Sequence, residues 1–189
     1  MRWNIPNILT VLRIVLIPVF VGLFYLPEGT LAPHDRNFFA TAAFALAAFT
    51  DWLDGYLARR LNQTSAFGAF LDPVADKLMV AAALIVLVEF DRVGAIVALI
   101  IIGREIAISA LREWMAALGE RKSVAVAVLG KFKTGFQMVA ILFLLYHDPV
   151  MGLDTHLVGT VLIFIAAFLT LLSMAYYLKA AWPQMAARD

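Results

Sequence analysis

Four aspartates occur in two pairs with helical spacing, within a short stretch of a very apolar chain. Asp51 and Asp54 stand at positions i and i+3, and Asp72 and Asp76 at positions i and i+4. Each spacing puts both carboxylates on one face of a helix. Four like charges that converge in apolar surroundings repel one another and are costly to desolvate, and divalent cations remove that problem. Carboxylate-rich sites suit Mg²⁺ or Mn²⁺, so this stretch predicts a metal-dependent phosphoryl-transfer site.

One of these aspartates also has a simpler explanation. Asp72 precedes Pro73, and an aspartate before a proline can be a helix N-cap with the proline at the first helical position. That explanation leaves Asp51, Asp54 and Asp76 in apolar sequence without partners. The pattern as a whole therefore favours a site over a set of caps.

The composition indicates an integral membrane protein. Of 189 residues, 63% are hydrophobic and 15% are charged, whereas soluble domains average roughly 45–50% and about 25%. The apolar excess extends along the whole chain, so a soluble domain with one anchor is excluded. The net charge of +1 gives no indication of nucleic acid binding, and the absence of cysteine excludes thiolate metal sites.

Apolar runs along the chain predict an all-α, polytopic protein with six transmembrane helices in a single domain over residues 1–189. A spanning helix takes about 20 residues, so six of them would use nearly two-thirds of the chain. Residues 1–7 predict an interfacial lead-in to a first helix that is retained and not cleaved as a signal. The predicted helices cover about residues 8–25, 38–57, 68–88, 93–118, 124–146 and 157–178.

The distribution of basic residues predicts the orientation in the membrane. With six spans, the N-terminus, the second and fourth loops and the C-terminus share one side. Of the 15 lysines and arginines, all but Arg36 and Arg92 lie on or near that side, which the positive-inside rule makes cytoplasmic. Both aspartate pairs fall near the same side, on antiparallel neighbouring helices. We therefore expect the carboxylates to face each other just below the cytoplasmic interface.

A second set of charged residues lies on the predicted fourth and fifth helices. Arg104 and Arg112 are on similar faces of the fourth helix, and Lys131 and Lys133 begin the fifth. Lys131 alone is explained by a lysine that extends to the membrane interface, but about ten apolar residues place Arg104 inside the span. A basic pocket beside metals suits an alcohol that carries a phosphate, whereas inositol or choline would not need it.

The aspartate stretch as a whole resembles the signature of the CDP-alcohol phosphotransferase family, and reads Asp51-x₂-Asp54-Gly55-x₂-Ala58-Arg59-x₈-Gly68-x₃-Asp72-x₃-Asp76. Members are six-helix membrane enzymes that transfer a phosphatidyl or similar group from a CDP-linked donor to an alcohol and release CMP. The resemblance implies that the four aspartates bind two divalent cations, Mg²⁺ or Mn²⁺, and that Asp76 is also the base that takes the alcohol proton. The residues it implies for CDP binding are Gly55, Ala58, Arg59 and Gly68.

Segments between about residues 4 and 138 resemble the bacterial branch of that family that uses sn-glycerol 3-phosphate. This resemblance implies transfer of the phosphatidyl group from CDP-diacylglycerol, giving phosphatidylglycerophosphate and CMP for phosphatidylglycerol and cardiolipin synthesis. It also implies a homodimer in the bacterial inner membrane, with its active site facing the cytoplasm. The residues expected to bind the acceptor phosphate are Arg104, Arg112, Lys131 and Lys133. Further candidate site residues are Asn7, Thr10, Arg13, Thr134 and Gln137.

Two other functions stay open on the sequence. The first is a related enzyme with another acceptor, such as a cardiolipin synthase that uses phosphatidylglycerol. The second is a divalent-cation transporter without enzymatic activity, whose intramembrane aspartates would also bind metal. The Gly55, Ala58, Arg59 and Gly68 element distinguishes them, because a nucleotide site needs it and an ion pathway does not.

Overall fold

The described residues of the chain are entirely helical apart from their connections. The computed structural model describes residues 5–61, 66–117 and 127–186, and over these ranges it contains no strand. The all-α prediction is confirmed for them. The helices are α1 (Ile5–Phe24), α2 (Pro33–Leu61), α3 (Ala66–Glu89), α4 (Ala95–Ala117), α5 (Ala127–Tyr146) and α6 (Thr155–Ala186).

Several helices extend beyond the apolar runs that predict them. The first begins at Ile5, earlier than the predicted residue 8, while residues 1–4 lie outside the described part. The interfacial position of residues 1–7 stays a prediction. The second begins at Pro33, well before the predicted residue 38, and the sixth continues to Ala186. Backbone hydrogen bonding continues through polar residues at helix ends, whereas an apolar run marks only the segment in apolar surroundings.

The start of α3 also decides the role of Asp72. Because α3 begins at Ala66, Asp72 and Pro73 lie inside the helix. The N-cap explanation of Asp72 is therefore wrong.

The middle of the bundle is packed with apolar side chains. Leu84 and Leu87 of α3, Ile101 of α4 and Leu144 of α5 are fully buried in one cluster. The packing of α5 on α6 is close, since a Cβ at Gly159 would lie 2.6 Å from the Leu144 Cγ. Any larger residue at position 159 would force these helices apart.

Each helix also presents large apolar side chains on its outer surface. Within the part of the chain that the structure describes, two helices are long and apolar enough to cross a membrane by length and composition, over Asn7–Phe24 and Thr155–Lys179. Apolar helices of this kind are compatible with a membrane protein. Examples of exposed side chains from α1 to α6 are Val19, Phe49, Ile85, Leu99, Val139 and Phe168.

A buried arginine joins three parts of the chain at one end of the bundle. Arg92, in the turn between α3 and α4, donates hydrogen bonds to the carbonyls of Leu144 at 3.2 Å and Leu145 at 2.7 Å. It also donates to Asn37 Oδ1 of α2 at 2.7 Å, and Asn37 in turn donates to Asp148 at 3.2 Å. These contacts fix the end of the bundle opposite the aspartates, and so set how α2, α3 and α5 are aligned.

Candidate active site

The guanidinium group of Arg13 lies among three of the four aspartates. Its Nη1 atom is 3.0 Å from Asp51 Oδ1 and also donates to Asp76 Oδ1, while Nη2 donates to Asp54 Oδ2. The Arg13 side chain has no exposed surface. We call these residues, together with Asp72, the aspartate cluster. One guanidinium therefore draws together carboxylates from α2 and α3.

Asp72, the remaining aspartate, contacts α1, as the other three do. Thr10 Oγ1 donates to Asp72 Oδ1 at 2.5 Å. Asn7, Thr10 and Arg13 follow one another at three-residue spacing along α1, and all three are buried. This spacing keeps them on one face of the helix, so α1 presents a polar stripe to the aspartates.

The aspartate cluster is buried on one side and open on the other. The Asp54 side chain is only 5% exposed, whereas those of Asp51 and Asp76 are each 45% exposed. Beside them, a Cβ added at Gly55 would meet no atom within 4 Å. The site thus has a buried floor and free space next to Gly55 in which a polar ligand group can approach.

A second polar group lies between α4, α5 and α6. Lys133 of α5, only 2% exposed, donates to Glu105 Oε1 of α4. Arg104 lies 3.6 Å from the same Glu105 oxygen and donates to Ser173 Oγ of α6 at 2.9 Å. With Arg112, which lies nearby on α4, the group has three cations and one carboxylate and so keeps an excess of positive charge. We call Arg104, Glu105, Arg112 and Lys133 the basic cluster.

An aromatic residue of α6 holds two of these cations. Arg112 donates to the Tyr177 hydroxyl. The guanidinium carbons of Arg112 and Arg104 lie 5.0 Å and 5.8 Å from the centre of the Tyr177 ring. Cations over an aromatic face are attracted by its π electrons. Tyr177 therefore keeps two like charges close together in a fixed arrangement.

Comparison with known proteins agrees with this pair of clusters. A model of the family described as CDP-alcohol phosphatidyltransferase matches residues 3–176. The chain belongs to the CDP-alcohol phosphatidyltransferase family. The match covers both clusters and extends from α1 into α6.

Close bacterial relatives of this CDP-alcohol phosphatidyltransferase are named for one activity. A protein of Shigella flexneri serotype 5b, 52% identical over 183 residues, is named CDP-diacylglycerol–glycerol-3-phosphate 3-phosphatidyltransferase, and the match covers 96% of each chain. A protein of Escherichia coli strain K12 with the same name is 51% identical over the same extent. Family membership favours an enzyme over a transporter.

The donor set of the aspartate cluster fits a divalent cation by its chemistry. Carboxylate oxygens are ligands that Mg²⁺ and Mn²⁺ prefer, and here they converge on a single positive group. Members of the CDP-alcohol phosphatidyltransferase family generally depend on divalent cations. Over the described ranges, no three carboxylate or imidazole groups surround a common point suited to one ion. In this structure the Arg13 guanidinium lies between the carboxylates.

The structure brings about half of the predicted site residues into these two clusters. Gln137 is buried at the middle of α5, Thr134 is exposed one turn earlier, and Gly68 is buried in α3. Ala58 and Arg59 belong to α2 and Lys131 to α5, but their side chains lie outside the described part of the structure. The roles assigned to all of the predicted site residues stay predictions.

Two contacts of α6 in this CDP-alcohol phosphatidyltransferase were not predicted from the sequence. Ser173 and Tyr177 both contact arginines of the basic cluster. A signal was present, because Thr170, Ser173 and Tyr177 are polar positions at helical spacing in an otherwise apolar helix. The three polar positions were not recognised as a face because the rest of α6 is apolar.

Proposed function

We propose that this chain transfers the phosphatidyl group of CDP-diacylglycerol to sn-glycerol 3-phosphate, releasing CMP. The observation that carries the proposal is the 51–52% identity, over 96% of each chain, to bacterial proteins named for this reaction. The geometry supports it, because an acidic cluster suited to cations and a basic cluster suited to a phosphate occupy the same end of the bundle.

The aspartate cluster and the space beside Gly55 form the proposed donor site. Asp51, Asp54, Asp72 and Asp76 would hold two divalent cations, Mg²⁺ or Mn²⁺. When bound, such cations neutralise the pyrophosphate and stabilise the leaving oxygen. The predicted CDP contacts of Ala58, Arg59 and Gly68 lie along the same stretch of chain. Arg59 has a planar guanidinium group, which can donate two parallel hydrogen bonds to phosphate oxygens.

Asp76 is the proposed base. Its carboxylate takes the proton of the free primary hydroxyl of glycerol 3-phosphate, and the resulting oxygen forms a bond to the lipid-side phosphorus. The bond between that phosphorus and the bridging oxygen breaks, and CMP leaves with the electron pair. The Asp76 side chain is 45% exposed, which supports access of an alcohol to it.

The basic cluster is the proposed acceptor site. A phosphate monoester carries close to two negative charges at neutral pH, and three cations against one carboxylate leave a matching excess of positive charge. Buried charges of this kind are costly unless a ligand or partner compensates them. The cost supports a role in binding for Arg104 and Lys133, which are buried, and the exposed Arg112 and Lys131 would add to their positive charge. A neutral acceptor such as inositol would leave these charges uncompensated.

We also propose that all six helices span the bacterial inner membrane, with the active site facing the cytoplasm, and that the chain forms a homodimer. The apolar outer faces of all six helices support the spans, and the positive-inside rule supports the orientation. Since the chain has no cysteine, single cysteines can test the orientation. A cysteine at Gly152 should react with an impermeant reagent added to spheroplasts, and one at Ser123 should not.

The proposed reaction is tested with purified protein, radiolabelled glycerol 3-phosphate and CDP-diacylglycerol. We expect label to enter the lipid phase only when both the donor and a divalent cation are present. Phosphatidylglycerol offered in place of glycerol 3-phosphate should give no cardiolipin. Product formed from phosphatidylglycerol, with none from glycerol 3-phosphate, would assign the chain to a related reaction with another acceptor.

A further inference from the structure

Arg13 has surroundings that are unusual for a structural arginine. It is completely buried and contacts three aspartates, but its Nε atom has no hydrogen-bond partner among the described residues. Its one positive charge faces three carboxylates. The pairing is therefore incomplete in charge and in hydrogen bonds. A guanidinium that served only to hold α1 in place would be expected to have its own donors satisfied.

The oxygens that Arg13 contacts are those that a metal would need. Its two terminal nitrogens contact Asp51 Oδ1, Asp54 Oδ2 and Asp76 Oδ1. A guanidinium stays protonated in proteins, so it cannot become neutral to let another cation approach. A divalent cation on the same oxygens would be repelled by it at contact distance.

From these contacts we propose that Arg13 is the counter-cation of the aspartate cluster in the metal-free protein, and that it competes with divalent cations for the same carboxylates. The inference rests on the proposed metal-dependent function. Loading the site separates the guanidinium from Asp54 and Asp76. Arg13 is thus a positioning residue that keeps the empty site folded.

Competition of this kind makes two opposite predictions for one substitution. Removing the charge of Arg13 leaves the buried Asp54 carboxylate and two partly exposed carboxylates uncompensated, so the metal-free protein loses stability. The same change removes the competitor, so the metal binds more tightly. Two ligands that exclude each other are coupled reciprocally. An arginine that helps to build the metal site would instead give losses in both properties.

The test compares Arg13→Gln, which keeps a polar side chain but removes the charge, with the wild type and with Arg13→Lys. Mn²⁺ binding is measured by the decrease of the electron paramagnetic resonance signal of free Mn²⁺, and unfolding is measured with and without chelator. We expect Arg13→Gln to bind Mn²⁺ about 10- to 100-fold more tightly, the range for charged hydrogen bonds that no longer have to be broken. Its Tm in chelator should fall, and added Mn²⁺ should raise it more than in the wild type. Arg13→Lys should lie between the two.

A matched control is Arg92→Gln. It removes another buried arginine, which donates to a backbone carbonyl at the opposite end of the bundle. It should lower the Tm without tightening Mn²⁺ binding. If metal-free Arg13→Gln does not stay folded, the rate of Mn²⁺ release into excess chelator is measured on the loaded variant, where slower release than in the wild type is expected.

Unchanged or weaker Mn²⁺ binding by Arg13→Gln, or release as fast as in the wild type, would overturn the inference. No phospholipid enters either measurement, so the result stands apart from the enzymatic assay. If the wild type forms product but Arg13→Gln shows no gain in Mn²⁺ affinity, only the proposed role of Arg13 is refuted. A wild type that binds Mn²⁺ but forms no product refutes the proposed reaction alone.

Discussion

The ammonium group of Lys77 on α3 donates a hydrogen bond to the hydroxyl of Ser109 on α4. Lys77 directly follows Asp76, and Ser109 lies on α4 between Arg104 and Arg112. This contact holds the aspartate cluster beside the basic cluster. A transfer reaction benefits from such an arrangement, because much of its rate comes from holding donor and acceptor together in the right orientation.

The first prediction concerns the carboxylates. Asp51→Asn, Asp54→Asn and Asp72→Asn should each lower turnover by more than about 100-fold, because one lost ligand unbalances a shared metal site. Excess chelator should abolish the activity of the wild type, and restored Mg²⁺ or Mn²⁺ should return it. The measurement is the rate of CMP release.

The control for these variants is Asp35→Asn, which changes an exposed aspartate in the first turn of α2, at the other end of the helix. It should keep nearly full activity. Full turnover of the wild type in chelator would contradict the metal requirement.

A second prediction separates the acceptor site from the donor site. Replacing Arg112 or Lys133 with glutamine removes a charged hydrogen bond, worth about 1.5–3 kcal/mol, to the acceptor phosphate. Use of glycerol 3-phosphate should weaken roughly 10- to 100-fold, at about 1.4 kcal/mol per decade. The apparent affinity for CDP-diacylglycerol should change little. Kinetic titrations of each substrate check this.

Lys179→Gln is a matched control, since Lys179 is an exposed lysine on α6. It should alter neither titration. Equal damage to both substrates by the Arg112 and Lys133 variants would assign these residues to the fold or the donor site. Because Lys133 pairs with Glu105, its variant also needs a Tm measurement.

The third prediction concerns Tyr177. Tyr177→Phe keeps the ring under both guanidinium groups and removes only the hydroxyl that accepts from Arg112. The KM for glycerol 3-phosphate should rise about 3- to 10-fold, because one such hydrogen bond contributes about 0.5–1.5 kcal/mol. Tyr177→Leu, which also removes the ring contacts, should raise it further. A KM that is the same in all three proteins would remove Tyr177 from the acceptor site.

The sequence predicted both clusters because their residues repeat at helical spacing within single helices. Asp51 with Asp54, and Arg104 with Arg112, each share a face for that reason alone. The contacts of Arg13 follow from no local pattern, since its partners lie 38 to 63 residues away along the chain. Periodicity fixes the faces of one helix but not which helix packs against it.

This difference explains why the sequence suggested, wrongly, that three of the aspartates have no partners. Asp51, Asp54 and Asp76 have no charged partner within their own apolar runs, which suggested that they lack partners altogether. In the structure α1 supplies Arg13 to all three. The aspartates therefore do not by themselves require a metal, and the case for cations rests on the family and on the excess of negative charge.

The fourth prediction concerns the stability of the bundle. Arg92→Met removes three hydrogen bonds and leaves the carbonyl groups of Leu144 and Leu145 without this donor. We expect the protein to lose about 2–4 kcal/mol of stability, the usual effect of breaking a buried polar network. Thermal unfolding should show a Tm lower by several degrees, while activity per folded molecule stays close to that of the wild type. An unchanged Tm would show that these bonds are replaced by others.

The last prediction is a dependence of stability on pH at the same end of the bundle. His147 lies in the connection between α5 and α6, and its φ of 60° is in the left-handed region. Burial is the largest cause that lowers the pKa of His147 below its usual 6.5, and the positive charges of Arg92 and His156 lower it further, against the opposite effects of Asp148 and Asp154. The folded protein thus favours the neutral imidazole.

Because the pKa of His147 is lower in the folded state, the unfolded chain takes up this proton first as the pH falls. The contribution of His147 to stability is therefore fully present above about pH 6.5, and is lost as the pH falls from there through the folded pKa. The variant His147→Asn removes the titration, and asparagine tolerates the left-handed conformation. Thermal unfolding between pH 7 and pH 5 should show a smaller decrease of Tm for His147→Asn than for the wild type. Equal decreases would mean that other groups carry the pH dependence.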